Sequence, residues 1–464
     1  MARQVTPTQR LLLSMQHGVQ TRAHEPFRSY GLTRQRHRGT LSKLCIMNST
    51  KNASAVYHDW ARESGVQFDK VEQKEFGEVR GMVALADIQA GEIFINLPRS
   101  AALVVDPLEK CPCPEFVDSG YYKTCPWYVK MAILLLSEKD KGSSSRIYGY
   151  IKQLPDSIDT PVRWSEKELD ELQNPRFKES IMKQMEDWKQ LYKEFKNNSK
   201  GTTKSYEEFL WALENVRSRS FSGPYAGSPI KDRITMAAVV IAGGAGYAAF
   251  AHIPLESILN AGISVACFNL LYDLVLSSRL KWYAMCPIID SLNHSGFVNS
   301  MIEFEYFRDT FVVSTDSEYS KGSQVFISYG DKTNEQLLQY YGFILAENPH
   351  DVCTVTASIE GIETVLSIMP NGQLSKQTMA KLGADDSLKS AISGKFSDAV
   401  NSALVDATRK ELKNKKSSLS DDQRLLNSKG MIKSQRLATA IEFRMSQKRI
   451  LEKALELAQK RQSG

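Results

Sequence analysis

The chain reads as an α+β protein, and three observations carry that reading. Residues 55–104 hold short strand-type runs separated by turn residues: Met82-Val83-Ala84-Leu85, then Glu92-Ile93-Phe94-Ile95-Asn96-Leu97-Pro98, with Gly91 as a turn between them. The spacing predicts that these two runs pair with each other. From Pro126 the period changes, and Trp127 with Met131-Ala132-Ile133-Leu134-Leu135-Leu136 predicts a buried helix. Two capping boxes, Ser165 with Glu168 and Ser205 with Glu208, open further helices, because side chain and backbone satisfy each other's polar groups in the first turn. Between them Ile181, Met185, Trp188, Tyr192 and Phe195 recur at helical spacing and form one apolar stripe, and after the second box Phe209, Leu213 and Val216 do the same. Near the C-terminus a strand-type run, Thr354 to Ala357, precedes a polar, loop-interrupted stretch from Leu374 to Gly430. A long helix over 436–461 follows, with Ile450, Ala454 and Leu457 on one face.

At 464 residues, 42% hydrophobic and 24% charged, the chain is long enough for two or three domains with ample cores. Its net charge of +6 is misleading as a guide to partners. Residues 1–50 carry eight Lys or Arg against the single acid Glu25, so that +7 sits there and the remainder is close to −1. Direct nucleic-acid binding is therefore not expected. The leader is Arg-rich, holds Ser and Thr, and lacks a long apolar core, which fits an organellar transit peptide; a basic arm that stays in place is the alternative. Seven cysteines show no pairing pattern, which points to a reducing compartment. Cys111, Cys113 and Cys125 lack a fourth ligand at zinc spacing, and no metal site is expected.

Two further segments stand out. Ile234 to Leu255 is a run of 22 residues without a charge, and after Pro254-Leu255-Glu256-Ser257 the apolar pattern resumes from Leu259 to Leu276, broken by Asp273. Lys231 and Arg233 precede the pair; Arg279 and Lys281 follow it. This pattern fits a membrane helical hairpin, and equally a soluble buried helix pair, since Gly243, Gly244 and Gly246 weaken helicity and Asp273 is unfavourable in lipid. The second segment, 409–464, holds fifteen Lys or Arg against six acids, either a basic face for an acidic protein partner or an ordinary solvated helix surface.

The chemistry-bearing residues lie at 290–295, Asp-Ser-Leu-Asn-His-Ser, and at 327–343, Ile-Ser-Tyr-Gly-Asp-Lys-Thr-Asn-Glu-Gln-Leu-Leu-Gln-Tyr-Tyr-Gly-Phe. In this order and spacing they resemble SET-domain protein-lysine methyltransferases of the Rubisco large-subunit methyltransferase type. Arg80-Gly81-Met82-Val83-Ala84 resembles the opening of that domain, and Arg217-Ser218-Arg219-Ser220-Phe221-Ser222 its Arg-Ser-Arg-x-Phe-Ser element. The resemblance implies a β-rich SET fold over 51–345 with a helical insert near 126–210. The apolar hairpin insertion lies near 230–281, and an all-α C-terminal substrate-binding-type domain spans 346–464. It further implies S-adenosylmethionine as cofactor, with Tyr329 as the catalytic residue beside the reacting methyl group. Glu78, Arg80, Arg219, Asn293 and His294 would hold the cofactor, Arg219 through its carboxylate, and Asp290 and Tyr341 would contact the substrate. Where the family shows Glu-Gly-x-Gly this chain reads Glu78-Val79-Arg80-Gly81. If that turn needs positive φ at the second position, Val79 is strained. The expected function is methylation of lysine on a plastid protein, such as Rubisco large subunit or another stromal protein, in the chloroplast stroma and tethered to a membrane if residues 234–276 span one. The alternative is a catalytically weak or inactive SET-fold scaffold in a plastid transcription or membrane complex.

Overall fold

The computed structural model describes residues 55–462 with interruptions at 78, 107–109, 202–203, 225–280 (Gly246, Asn260 and Ser264 excepted), 306–307, 360, 385–397, 429–431 and 433. The leader and the apolar insertion therefore lie outside the described residues. Among those described, no helix is long and apolar enough to cross a membrane.

Three small sheets make the first part of the fold. Strands β1 (Val71–Phe76) and β2 (Val79–Ala84) form an antiparallel hairpin in which Phe76 faces Val79. The loop is thus two residues long, and Gly77 supplies the positive φ, 69°, that such tight turns require. β2 does not pair with β3 (Ile93–Pro98), contrary to the spacing-based expectation. The connecting residues are pinned instead: Ile88 is fully buried and exchanges two backbone hydrogen bonds with Tyr319, at 2.8 and 2.9 Å. That anchor carries the chain out of the first sheet, and β3 joins β9 (Thr310–Ser314) and β8 (Met301–Glu305) in a second. The third sheet pairs β4 (Leu103–Val105) and β5 (Ser220–Pro224) with β6 (Lys281–Met285). β5 and β6 stay in register to their last pair, Pro224 with Lys281. The chain leaves for the insertion and returns from it at neighbouring strand ends, so 56 residues are added without parting the sheet.

The helices follow the sequence closely. α1 (Trp127–Asp140) is buried from Met131 through Ser137, hence its apolar run on every face. α2 (Glu166–Asp170), α3 (Pro175–Asn198) and α4 (Tyr206–Arg219) follow, α2 and α4 each starting at a complete capping box. α3 buries Ile181, Trp188 and Phe195 of the expected stripe, and α4 buries Phe209, Leu213 and Val216.

Strand β7 is only Asn293–His294, yet it runs parallel to β10 (Gln324–Ile327), which itself pairs with β2. The helix α5 (Asn334–Tyr341) closes with Gly342 at φ 77°. Beyond it the C-terminal region, expected to be all α, also contains an antiparallel hairpin of β11 (Cys353–Ile359) and β12 (Ile362–Ile368). Alternating burial along β11 packs Val355, Ala357 and Ile359 against α6 (Asp398–Asn414) and α8 (Gln435–Gln462), with α7 (Leu419–Asn427) between these helices in sequence. The strand-type run Thr354 to Ala357 is the middle of β11; its partner β12 was not read from the sequence. Trp164, Leu169, Phe177 and Ile181 share a separate core with Leu338 of α5 and Ala440 and Phe443 of α8, so insert, α5 and C-terminal helix are welded together.

Candidate active site

The first sheet brings three distant parts of the sequence to one place. Pairing of β7 with β10 sets Asn293 beside Phe326 and His294 beside Ile327, two residues before Tyr329. The Asn293 side chain donates to the Arg80 carbonyl at 3.0 Å, tying this strand to β2. Gly81 permits that approach: a Cβ there would stand 2.6 Å from Asn293 Nδ2 and 2.5 Å from Gln324 Nε2. Val79, by contrast, is not in the positive-φ region and its side chain is exposed. The expected strain at Val79 is absent, because Gly77 makes the turn and Val79 already belongs to the strand.

His294 accepts the Tyr329 backbone N–H on Nδ1 at 3.1 Å. In that bond Nδ1 is the acceptor, which places the proton of the neutral ring on Nε2; the Ile327 carbonyl lies farther from the same Nδ1, at 3.4 Å, and would take that proton in the other tautomer. Burial also pushes the imidazole pKa down, favouring that neutral form. Nε2 is buried and has no partner.

Tyr329 stacks on His294 (ring centroids 5.0 Å, interplanar angle 16°) and on Tyr341 (5.0 Å, 22°). Its hydroxyl donates to the Leu292 carbonyl at 2.8 Å, and burial raises its pKa well above the usual phenol value. The proton is therefore fixed on one side, and the oxygen keeps its lone pairs for a group on the other. Tyr341 is the last residue of α5, and Phe343 meets it edge-on.

Behind these rings lies a buried charge. The Asp290 carboxylate accepts from Arg219 Nη1 at 3.1 Å and from the Tyr150 hydroxyl at 2.7 Å. Burial raises its pKa, opposed chiefly by the Arg219 guanidinium. Arg219 thus holds a carboxylate of this chain, where the resemblance assigns it a ligand's. Asp290 Oδ1, Arg219 Nε and Ser220 Oγ remain buried without partners. Just upstream, Ile288 has φ 68° and ψ −50°, and Ile289 N–H bonds to the Pro287 carbonyl at 2.8 Å. This is a γ-turn with positive φ, a strained shape for a β-branched residue. The Tyr57 hydroxyl accepts the Ile288 N–H at 2.7 Å and steadies it.

The structure therefore brings Arg80, Arg219, Asp290, Asn293, His294, Tyr329 and Tyr341 together, while Glu78 lies outside the described residues. Tyr57, Tyr150 and the turn at Ile288 were not foreseen. Nothing local marks them, since their partners are 231 and 140 residues away in sequence.

The protein-family model described as Rubisco LSMT substrate-binding matches residues 308–451. Among curated proteins, the chain is 23% identical to SET domain-containing protein 4 of Mus musculus, over 70% of this chain and 66% of that one. It is 24% identical to the ribosomal lysine N-methyltransferase set10 of Schizosaccharomyces pombe, over 60% and 42%, and 24% identical to the actin-histidine N-methyltransferase of Danio rerio, over 63% and 42%. The chain thus spans between about two fifths and two thirds of these relatives. Among solved structures, Rubisco LSMT bound to AdoMet superposes with a TM-score of 0.59, and the same enzyme bound to sinefungin and monomethyllysine with 0.60. Each is 18% identical and covers 89% of this chain and 92% of that one. Over 89% of the chain the fold is that of the SET domain of LSMT.

Proposed function

We propose that this chain is an S-adenosylmethionine-dependent protein methyltransferase, with lysine as the acceptor. The observation that carries the reading is the set of unsatisfied polar atoms around Tyr329: His294 Nε2, Arg219 Nε, Ser220 Oγ and Asp290 Oδ1. Buried polar groups are nearly always paired, so several orphans in one place mark where a polar ligand belongs. They fit a zwitterionic, adenine-bearing cofactor: a donor at His294 and Arg219, and an acceptor at Asp290. When bound, S-adenosylmethionine supplies the sulfonium methyl group.

The protein's own part is positioning and desolvation. Stacked Tyr329 and Tyr341 present aromatic faces and one hydroxyl oxygen to an incoming amine. An ammonium group among such surfaces loses hydration, its pKa falls, and the neutral nucleophile becomes accessible. The high pKa of Tyr329 keeps it a phenol, so it orients the amine and does not act as a fixed negative charge. The relatives named above include a lysine and a histidine methyltransferase; the resemblance of the 290–343 motifs to lysine enzymes favours lysine. The basic leader supports an organellar location, the resemblance to the Rubisco-type enzymes a plastid with a stromal protein such as Rubisco large subunit as substrate, and the apolar pair over 234–276 fits membrane attachment as well as a buried soluble helix pair. Import assays and carbonate extraction of the mature protein test both points.

One observation favours the second reading, a SET-fold scaffold without catalysis: the Arg219 guanidinium is already held by Asp290. Calorimetric titration with S-adenosylmethionine decides between them. The enzyme reading expects clear binding, and no binding would end it. In the variant Tyr329→Phe, methyl transfer should fall by about 10²-fold or more with cofactor affinity little changed, because the hydroxyl acts at the reacting centre. Full transfer by that variant would remove Tyr329 from the role.

A further inference from the structure

The basic C-terminal segment divides into two groups of cations. One group is paired with carboxylates of the protein itself: Arg436, partly exposed, meets Asp159 and Glu168, while the buried Arg444 and Lys448 meet Asp422. The other is Arg409, Lys410, Lys413 and Lys416, all exposed, on the last turns of α6 and just beyond it. Among the described residues none of these four has a carboxylate within 4 Å, although Lys415 between them is paired with Glu411 at 2.7 Å. Cations near a helix C-terminus favour the helix dipole. That does not account for a fifth, Arg176, which projects from the first turn of a different helix, α3.

Arg176 and Lys410 line one cavity of about 220 Å³, together with Thr354, Thr356 and Asn414. Its one lining carboxylate, Glu411, is taken by Lys415. Arg176 uses one of its five N–H groups on the Thr356 hydroxyl, leaving a guanidinium fork that suits a carboxylate. The cavity has room for one side chain, and the free cations outside it continue along α6.

We propose that this surface docks an acidic stretch of the protein substrate, with one Asp or Glu side chain seated between Arg176 and Lys410. The partner's identity as substrate rests on the methyltransferase reading. The distance to the reaction is set by α5. Asn174, which lines the cavity, donates to Glu335 in the first turn of α5 at 2.9 Å, and Tyr341 ends the same helix six residues on. That is about 9 Å at 1.5 Å per residue. An extended segment covers this in about three residues, so the seated acid lies at least that far from the target lysine.

The test uses the full chain and fluorescein-labelled hexaglutamate, followed by anisotropy at low salt. Wild type should bind, and binding should weaken steeply as salt rises. Lys410→Glu with Lys413→Glu should lower affinity by about tenfold or more, and Arg176→Ala by a smaller factor. Reversal of Lys453 and Lys460, which pair with Glu456, should leave it within about twofold. Equal affinity in all variants would overturn the proposal, as would displacement of the peptide by inorganic phosphate at equal concentration, which marks a simple anion hole. S-adenosylmethionine titrated into the Lys410→Glu, Lys413→Glu protein should bind as in wild type. Hexaglutamate binding without any cofactor binding in wild type would keep the docking surface and end its assignment to a methylation substrate.

Discussion

Asp290 and Asp422 are both buried aspartates beside arginine, and they behave in opposite ways. Asp422, in α7, receives Arg444 at 2.7 and 3.0 Å, Lys448 at 2.5 Å and the Ser417 hydroxyl at 2.8 Å. Both of its oxygens are satisfied, and although burial pushes its pKa up, the bonds from Arg444, Lys448 and Ser417 outweigh that and hold it below the usual value. Asp290 has one cation and one hydroxyl, leaves Oδ1 unpaired, and has its pKa raised by burial. The same residue type is a structural clamp where the fold completes its hydrogen bonds, and a candidate ligand contact where the fold leaves one oxygen open. Arg444 extends the clamp to Glu171 of the insert at 2.6 Å, so it also locks the C-terminal helices onto the helical insert.

The comparison breaks first at Asp422. Asp422→Ala leaves the buried Lys448 without a counter-ion and Arg444 with Glu171 alone, and should lower stability by about 3–5 kcal/mol, measured by urea unfolding. A loss below about 1 kcal/mol would show that the clamp is solvated and the contrast with Asp290 is false. The effect should fade at acid pH. The folded pKa of Asp422 is depressed, so its contribution is present above the unfolded value and is lost as pH falls through the folded one.

Glu335 sharpens the contrast from the other side. It is held at the start of α5 by one bond from Asn174, and burial, with Asp351 adding to it, pushes its pKa to about 7. Between the ordinary carboxyl range and pH 7 the unfolded chain is ionised while the folded one keeps its proton, so stability falls as pH rises across that window. Glu335→Gln, which retains an acceptor for Asn174, should remove the slope. It should gain up to about 3 kcal/mol over wild type at pH 8 and converge with it near pH 4.5. A difference that is constant with pH would mean that Glu335 is solvated.

The smallest effect is expected at Tyr150. Tyr150→Phe removes one donor from Asp290 but leaves Arg219, so stability should fall by only about 1–2 kcal/mol. Cofactor or substrate affinity should change more than stability does, because the carboxylate is freed to rotate. Unchanged ligand binding together with a large stability loss would make Asp290 a clamp like Asp422.

Much of this site was legible without coordinates. Asn293, His294, Tyr329 and Tyr341 stand out because two linear motifs carry them, and the fold brings those motifs together as β7, β10 and α5. Capping boxes and apolar periods placed α1 to α4 because those signals are local. The pairing of β2 with β10, the strained turn at Ile288 and the Tyr57 and Tyr150 contacts were not legible. Each joins residues from opposite parts of the chain, where no periodicity or spacing records the partner.

The sequence by itself determined α1 to α4, the capping-box starts of α2 and α4, the motif residues and the likeness to SET-domain enzymes, because propensity, capping and motif spacing act over a few residues; α6 and α7, inside the polar stretch 374–430, it did not place. Tertiary structure alone decided which aspartate is satisfied and which is open, that Val79 is relaxed because Gly77 bears the turn, and which C-terminal cations face solvent. Burial and hydrogen-bond satisfaction depend on what arrives from elsewhere in the chain, and a carboxylate reads the same in sequence whether its oxygens find partners or not.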